Sequence, residues 1–209
     1  MDLIDYLKNR RSYKIPFEKT TVKRELIEEC IKVSQWAPSA HNSQPWRYII
    51  LDDLDTRTNL INGMNAKLRK DLEYDGKSES FIEGKINSTR SQFLNAPVLI
   101  LVCMDKIVLE NYSDDERNEN EFVLGVMSVA SSITYLLIYF QKYGLASCWY
   151  SAPLFAKKIV IDTLNLPSSF FPLAFITVGF PEIKEIKPPK RNFYEEILIY
   201  ASKLVKNKK

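Results

Sequence analysis

Between Phe122 and Phe140 nineteen consecutive residues, FVLGVMSVASSITYLLIYF, carry no charge. A run of that length is near the lower limit for a helix that crosses a membrane, or it forms a helix buried on all sides by protein. Ser128, Ser131, Ser132 and Thr134 bring hydroxyls into the run, and its flanks hold Glu119 and Glu121 on one side but only Lys142 on the other. That is a weak membrane anchor, and the hydroxyls are better satisfied inside protein than in lipid. The buried helix is the favoured reading, with Gly125, Ser128 and Ser132 small enough to admit a neighbouring helix. Gly144 falls where a left-handed C-cap belongs and Leu145 can supply its apolar contact, so the helix is expected to end near Tyr143.

A chain of 209 residues fits one domain, and 45% apolar with 26% charged residues describes a globular protein with a packed core. The six glycines are too dispersed to write G-x-G-x-x-G or a P-loop, and the single histidine, His41, rules out sites that need two imidazoles. Cys30, Cys103 and Cys148 have no C-x-x-C spacing, which argues against structural zinc and, with no secretory signal in the first ten residues, points to a cytoplasmic protein. A net charge of +3 without a basic, aromatic-laced face gives no basis for binding nucleic acid. The lysines between Lys203 and Lys209 read as a frayed, solvated end.

Periodicity supplies the elements. Asp2 can cap a short first helix with Leu3, Ile4 and Leu7 on its inner side. Val22, Leu26, Cys30, Val33 and Ala37 recur at helical spacing, and Pro38 stops that helix. Arg47–Leu51, Val98–Met104 and Leu173–Val178 read as strands, the last two buried on both faces. Thr56–Leu72, Ser80–Leu94 and Phe155–Leu164 read as helices, which gives an α+β fold with a central sheet flanked by layers of helix.

Four polar stretches lie between these elements. Arg10-Arg11-Ser12-Tyr13-Lys14 offers guanidinium forks and a hydroxyl to a phosphate, or simply complements the negative end of the first helix. Pro38-Ser39-Ala40-His41-Asn42-Ser43-Gln44-Pro45 is stiffened by two prolines and can read the polar edge of a ring, or is a self-capped turn. Within it, His41 is expected to be a hydrogen-bonded loop residue. Gly144 to Pro153 holds adjacent aromatics that suit the wall of a flat ligand, or form core on a short strand. Lys187-Pro188-Pro189-Lys190-Arg191 is an extended cationic stretch, by itself a solvated linker.

The order R-R-S-x-K, A-P-S-x-x-N-x-Q-P-W-R, a long apolar helix, G-L-x-S-C-W, then G-F-P with P-P-K-R resembles the flavin-dependent nitroreductase superfamily over nearly the whole chain. The resemblance implies a three-layer α+β domain spanning 1–209, a homodimer interlocked through the long helix, and FMN bound by both subunits at their interface, with no membrane. It assigns Arg10, Arg11 and Ser12 to the phosphate and ribityl chain, with Arg191 and Lys190 as C-terminal phosphate ligands. Lys14 goes to the pyrimidine edge. Pro38, Ser39, Ala40, Asn42 and Gln44 come from the other subunit, and Tyr150, Ser151 and Ala152 present backbone groups near the flavin N5. The implied reaction takes hydride from NAD(P)H through the flavin to a small organic oxidant, with no side-chain nucleophile. Two departures stand out: Ser151-Ala152 replaces an acidic residue followed by glycine, and the mid-chain flavin asparagine of many members has no aligned counterpart, Asn87 being a candidate. The H-N-S-Q-P-W-R and S-C-W forms are closest to the nitroreductase-like domain of enzymes that finish a deazaflavin coenzyme's glutamate tail.

Overall fold

The structure, a computed structural model, describes residues 2–14, 16–183 and 186–201. Four strands, β1 (Trp46–Ile50), β2 (Val98–Asp105), β3 (Ala146–Tyr150) and β4 (Phe170–Gly179), form one antiparallel sheet in the order β1-β2-β4-β3. The central pair is buried on both faces, as their unbroken apolar runs predict. Along β2 the period of two sends Ile100, Val102 and Met104 to one core and Leu99, Leu101 and Cys103 to the other.

Helices α2 (Arg24–Ser34) and α5 (Asp115–Lys142) cover the first face, and α3 (Leu54–Tyr74) and α6 (Lys157–Leu164) the second, with α4 (Glu79–Leu94) packed on α3. This is the three-layer α+β arrangement expected from the sequence. The long helices start on side-chain caps: Asp53 accepts from Thr56 N, Ser78 from Phe81 N and Asp114 from Arg117 N. Phe140 and Phe175 are fully buried on opposite faces of the sheet, each worth about 1.5–3 kcal/mol of transfer free energy.

Nine residues of α5 lie in the protein's own core. Its small residues do the expected work and more. Ser132 Oγ donates to Ser34 O of α2 (2.9 Å) and meets Tyr48 Oη (2.7 Å), while Gly125 leaves room for Met104 and Leu109, whose atoms a β-carbon would meet at 2.6–3.2 Å. The helix ends as its sequence requires. Gly144 sits at φ +70°, its N–H donates to Gln141 O (3.0 Å), Leu145 N donates to Phe140 O (3.1 Å), and Leu145 is buried. Burial on all sides is not found, because Val123 (53%), Met127 (62%) and Tyr135 (41%) are exposed along one face.

One further expectation is corrected, that of the first helix. In α1 (Leu3–Asn9) no residue is buried, Leu3, Ile4 and Leu7 face outward, and Asp2 makes no capping bond. The short helix is instead held by Tyr6, whose Oη donates to Ile138 O (2.7 Å). The second helix ends at Ser34 and closes in a turn, four positions before Pro38 and so within the limit that the proline sets. The stretch after Gly144 is mostly strand β3, with Trp149 packed against the core, followed by a 3-10 turn at Ala152–Phe155. The exposed edge of β3 is covered by the N-terminal arm, where Ser12 bridges Ser147 and Tyr13 N donates to Ser147 O (2.9 Å). The Lys203–Lys209 tail lies outside the described residues.

Candidate functional site

The N-terminal arm and the segment after β4 are stitched together at the sheet edge. Phe17 bridges Pro181, Glu18 N donates to Phe180 O (2.8 Å), and Tyr13 Oη accepts from Ile183 N (3.0 Å). Arg11 fastens the same two segments, donating from Nε to Ile186 O (3.2 Å) and from a terminal nitrogen to Arg10 O (2.7 Å) and Lys8 O. For Arg11 the helix-end reading therefore holds in part, and its Nε and one terminal nitrogen are committed to carbonyls. Arg10, half-buried, makes no side-chain hydrogen bond or ion pair among the described residues.

Two clefts, of about 680 and 850 Å³, meet at Arg10 and Arg11. The second gathers Lys8, Arg10, Arg11 and Arg191 against one carboxylate, Asp5. The first is backed by Gln141, whose Oε1 is buried without a partner. Four cations on two arms, an unsatisfied buried acceptor and a large open volume suit a phosphorylated ligand with a polar chain. Lys190, Ser12 and Lys14 line neither cleft and are exposed. Beneath them, burial pushes the Cys148 thiol up, partly opposed by the nearby Lys14 and Arg10 cations and by Ser12. Tyr150 Oη is buried without a partner, so only the backbone of this residue can reach a ligand. Ser151 is exposed and Ala152 half-buried.

The loop holding Pro38, Ser39, Ala40, Asn42 and Gln44 is elsewhere. His41, Asn42 and Gln44 all have left-handed backbone, at φ 52°, 53° and 45°. Asn tolerates this region, Gln does so poorly, and proline after Gln44 favours extended backbone there, so the loop stores strain of about 1–3 kcal/mol per unfavourable residue. Its turn is partly self-capped, Ser39 Oγ accepting from Gln44 N (3.2 Å), and it rests on the first half of α5. Ala40 N donates to Ser128 Oγ (3.1 Å), and the half-exposed His41 lies 3.8 Å from the buried carboxylate of Glu121. The cationic cleft abuts Leu137 and Gln141 at the other end of that helix. Thirteen residues at 1.5 Å separate Ser128 from Gln141, roughly 20 Å along the axis. Within one chain the two halves of the expected site do not converge. Asn87 is exposed on α4 and lines neither cleft.

The nitroreductase family model matches residues 7–180. The chain belongs to the nitroreductase family. It is similar to the iodotyrosine deiodinase of Thermotoga neapolitana, with 28% identity over 190 residues that cover 90% of this chain and 93% of that protein. It is also similar to the putative NAD(P)H nitroreductase YfhC of Bacillus subtilis, at 23% identity over 92% and 93% of the two chains. Among solved structures, a BluB-like flavoprotein from Clostridium difficile superposes with a TM-score of 0.75 at 23% identity, covering 96% of this chain and 99% of the other. A putative nitroreductase from Desulfovibrio desulfuricans in complex with FMN gives 0.69 at 20% identity, covering 94% and 95%. At these identities the two structures share the nitroreductase fold with this chain.

Sequence reasoning missed several residues of this region. Gln141 reads as an ordinary polar helix end, and Arg47, which reaches the carbonyl of Gln44 (3.1 Å), reads as the start of a strand. A signal for Gln141 exists: it is a polar residue one turn before a glycine cap, on the face of α5 that Tyr6 and Leu145 also use.

Proposed function

We propose that this nitroreductase-family protein is an FMN-dependent oxidoreductase that takes hydride from NAD(P)H and passes it to a small organic oxidant, working as a homodimer whose two flavin sites are shared between subunits. The observation that carries this reading is the separation of the cationic cleft from the strained loop by roughly 20 Å along α5. A second copy removes the separation. The stripe of exposed Leu124, Met127 and Tyr135 with half-buried Ser131 provides an apolar contact centred near Ser131. Twofold antiparallel packing there sets Gln141 of one helix level with Glu121 of the other, since each lies ten positions from Ser131. The loop of one subunit then faces the cleft of its partner.

The residues present fit FMN. Arg10 and Arg191 would hold the phosphate, with Arg11 keeping their two segments together and Ser12 near the ribityl chain. Lys14 would place a fixed cation at the pyrimidine edge, where it favours the reduced, more negative state. The partner's loop 38–44 would bind the ring, and the backbone of Tyr150 to Ala152 would donate near N5. When bound, the flavin supplies reversible two-electron chemistry. The protein's share is positioning and electrostatics, so no side chain acts as nucleophile. A deazaflavin is the alternative donor, supported by the H-N-S-Q-P-W-R form. Nitroaromatics, quinones and iodotyrosine make up the oxidant panel, the last because of the Thermotoga relative. The rival reading, a non-enzymatic protein anchored in a membrane through helix 122–140, has the stripe on α5 in its favour, since this helix is long and apolar enough to cross a membrane. Purified protein is expected to be yellow and to be bleached by NADH or NADPH. Colourless protein whose melting temperature ignores added FMN, or partition into membranes with release only by detergent, overturns the proposal.

A further inference from the structure

The strained loop is held from beneath by a pair of residues that line neither of the two clefts. Arg47, the second residue of β1, donates from one guanidinium nitrogen to Gln44 O (3.1 Å) and Trp46 O (2.9 Å), the carbonyls on either side of Pro45. Its other terminal nitrogen lies 2.9 Å from Asp105 Oδ2. Asp105, only 5% exposed at the end of β2, is fixed in turn: its Oδ1 accepts from Ile107 N (3.3 Å), and its own N–H donates to Pro45 O (2.7 Å). Every carbonyl from Gln44 to Trp46 is therefore claimed by Arg47 or Asp105.

That placement matters because Gln44 is the residue least suited to its backbone. Without a partner for its carbonyl, a Gln preceding proline returns to extended φ, and Asn42, whose Oδ1 accepts from Gln44 Nε2 (3.3 Å), goes with it. Only a planar fork reaches two carbonyls and a carboxylate together, which a lysine ammonium on a flexible stem does not reproduce. Ser128 and Glu121 hold the other end of the loop at Ala40 and His41, so the strut at Gln44 completes a two-ended clamp.

We infer that Arg47 and Asp105 form a strut that locks loop 39–44 in its left-handed shape and thereby act as positioning residues for the flavin. The link to flavin rests on the proposed function; the strut itself does not. Arg47→Lys keeps the charge beside Asp105 and removes the fork, and Arg47→Met with Asp105→Asn removes both charges so that no buried carboxylate is left unpaired. The measurement is amide hydrogen exchange of apo protein, read peptide by peptide, with melting temperature and FMN affinity beside it. Arg47→Lys is expected to speed exchange over 39–45 by about tenfold or more while β2 and α5 keep their protection, and to weaken FMN binding by about tenfold. The double variant is expected to do the same. Unchanged exchange over 39–45 in both variants overturns the strut, and so does a uniform rise across the sheet with a lowered melting temperature, which marks a merely structural pair. If the wild-type protein takes up no FMN, the flavin reading fails separately, and the exchange comparison alone upholds or overturns the strut.

Discussion

Replacing Arg10 by Ala isolates the proposed phosphate contact. Arg10 lines both clefts and spends no side-chain donor among the described residues, whereas Arg11 holds the Arg10 and Ile186 carbonyls. Arg10→Ala therefore removes ligand donors without loosening the two segments. A hydrogen bond to a charged group is worth about 1.5–3 kcal/mol, so FMN affinity is expected to fall about 10- to 150-fold. Arg10→Lys, a point charge without the fork, should recover part of the loss. The assay is a titration of apo protein with FMN and, separately, with riboflavin, followed by quenching of flavin fluorescence at fixed salt. Riboflavin lacks the phosphate, so its affinity is expected to stay the same. Equal losses for both ligands, or none for either, refute the assignment. Arg11→Ala is the contrast, expected to weaken both ligands because it frees the Ile186 segment that walls both clefts.

Ser132→Ala removes the bond to Ser34 O and strips Tyr48 Oη of its partner at a fully buried position. A loss of about 1–3 kcal/mol is expected, roughly 2–10 °C in Tm for a chain of this size. Thr134→Ala on the exposed face, tested at equal protein concentration, should change stability by less than about 0.5 kcal/mol. Burial pushes the Cys30 and Cys103 thiols from an ordinary 9.0 up to about 12. Because the folded values lie above the unfolded ones, their contribution to stability is complete below about pH 9 and is lost as pH rises toward 12, where the unfolded chain gives up those protons first. Denaturant midpoints measured from pH 7 to 11 should fall above pH 9, and less steeply in a Cys30→Ala, Cys103→Ala double variant.

The parts of this fold that the sequence makes legible are those whose signal is local. The unbroken apolar run of β2, the Gly144-Leu145 helix end and the side-chain caps at Asp53 and Ser78 each carry their own instruction. β3 stayed one of two readings because five residues, ASCWY, give too short a period to separate a strand from a loop, and its strand state comes from pairing with β4. α1 misled for the opposite reason: its apolar spacing is real, but among the described residues nothing buries Leu3, Ile4 and Leu7. The same holds for the outer face of α5. For the site, the motif residues were legible as chemistry but not as geometry. Nothing local distinguishes Arg10, whose side chain makes no hydrogen bond among the described residues, from Arg11, whose Nε and one terminal nitrogen are spent on carbonyls. Arg47 belongs to the motif, yet its partner Asp105 lies 58 positions away, and only the β1–β2 register brings the two together.

Two chains building each flavin site is the claim on which the functional account stands, and a mixed dimer tests it most directly. Dimers are assembled from one Arg10→Ala subunit and one Asn42→Ala subunit, each separately tagged, purified through both tags and titrated with FMN. If cleft and loop come from different chains, one site carries both lesions and the other neither, so the mixed dimer binds one FMN with wild-type affinity while each mutant homodimer binds weakly. If cleft and loop come from the same chain, every site carries one lesion, and a mixed dimer with no tight site contradicts the account.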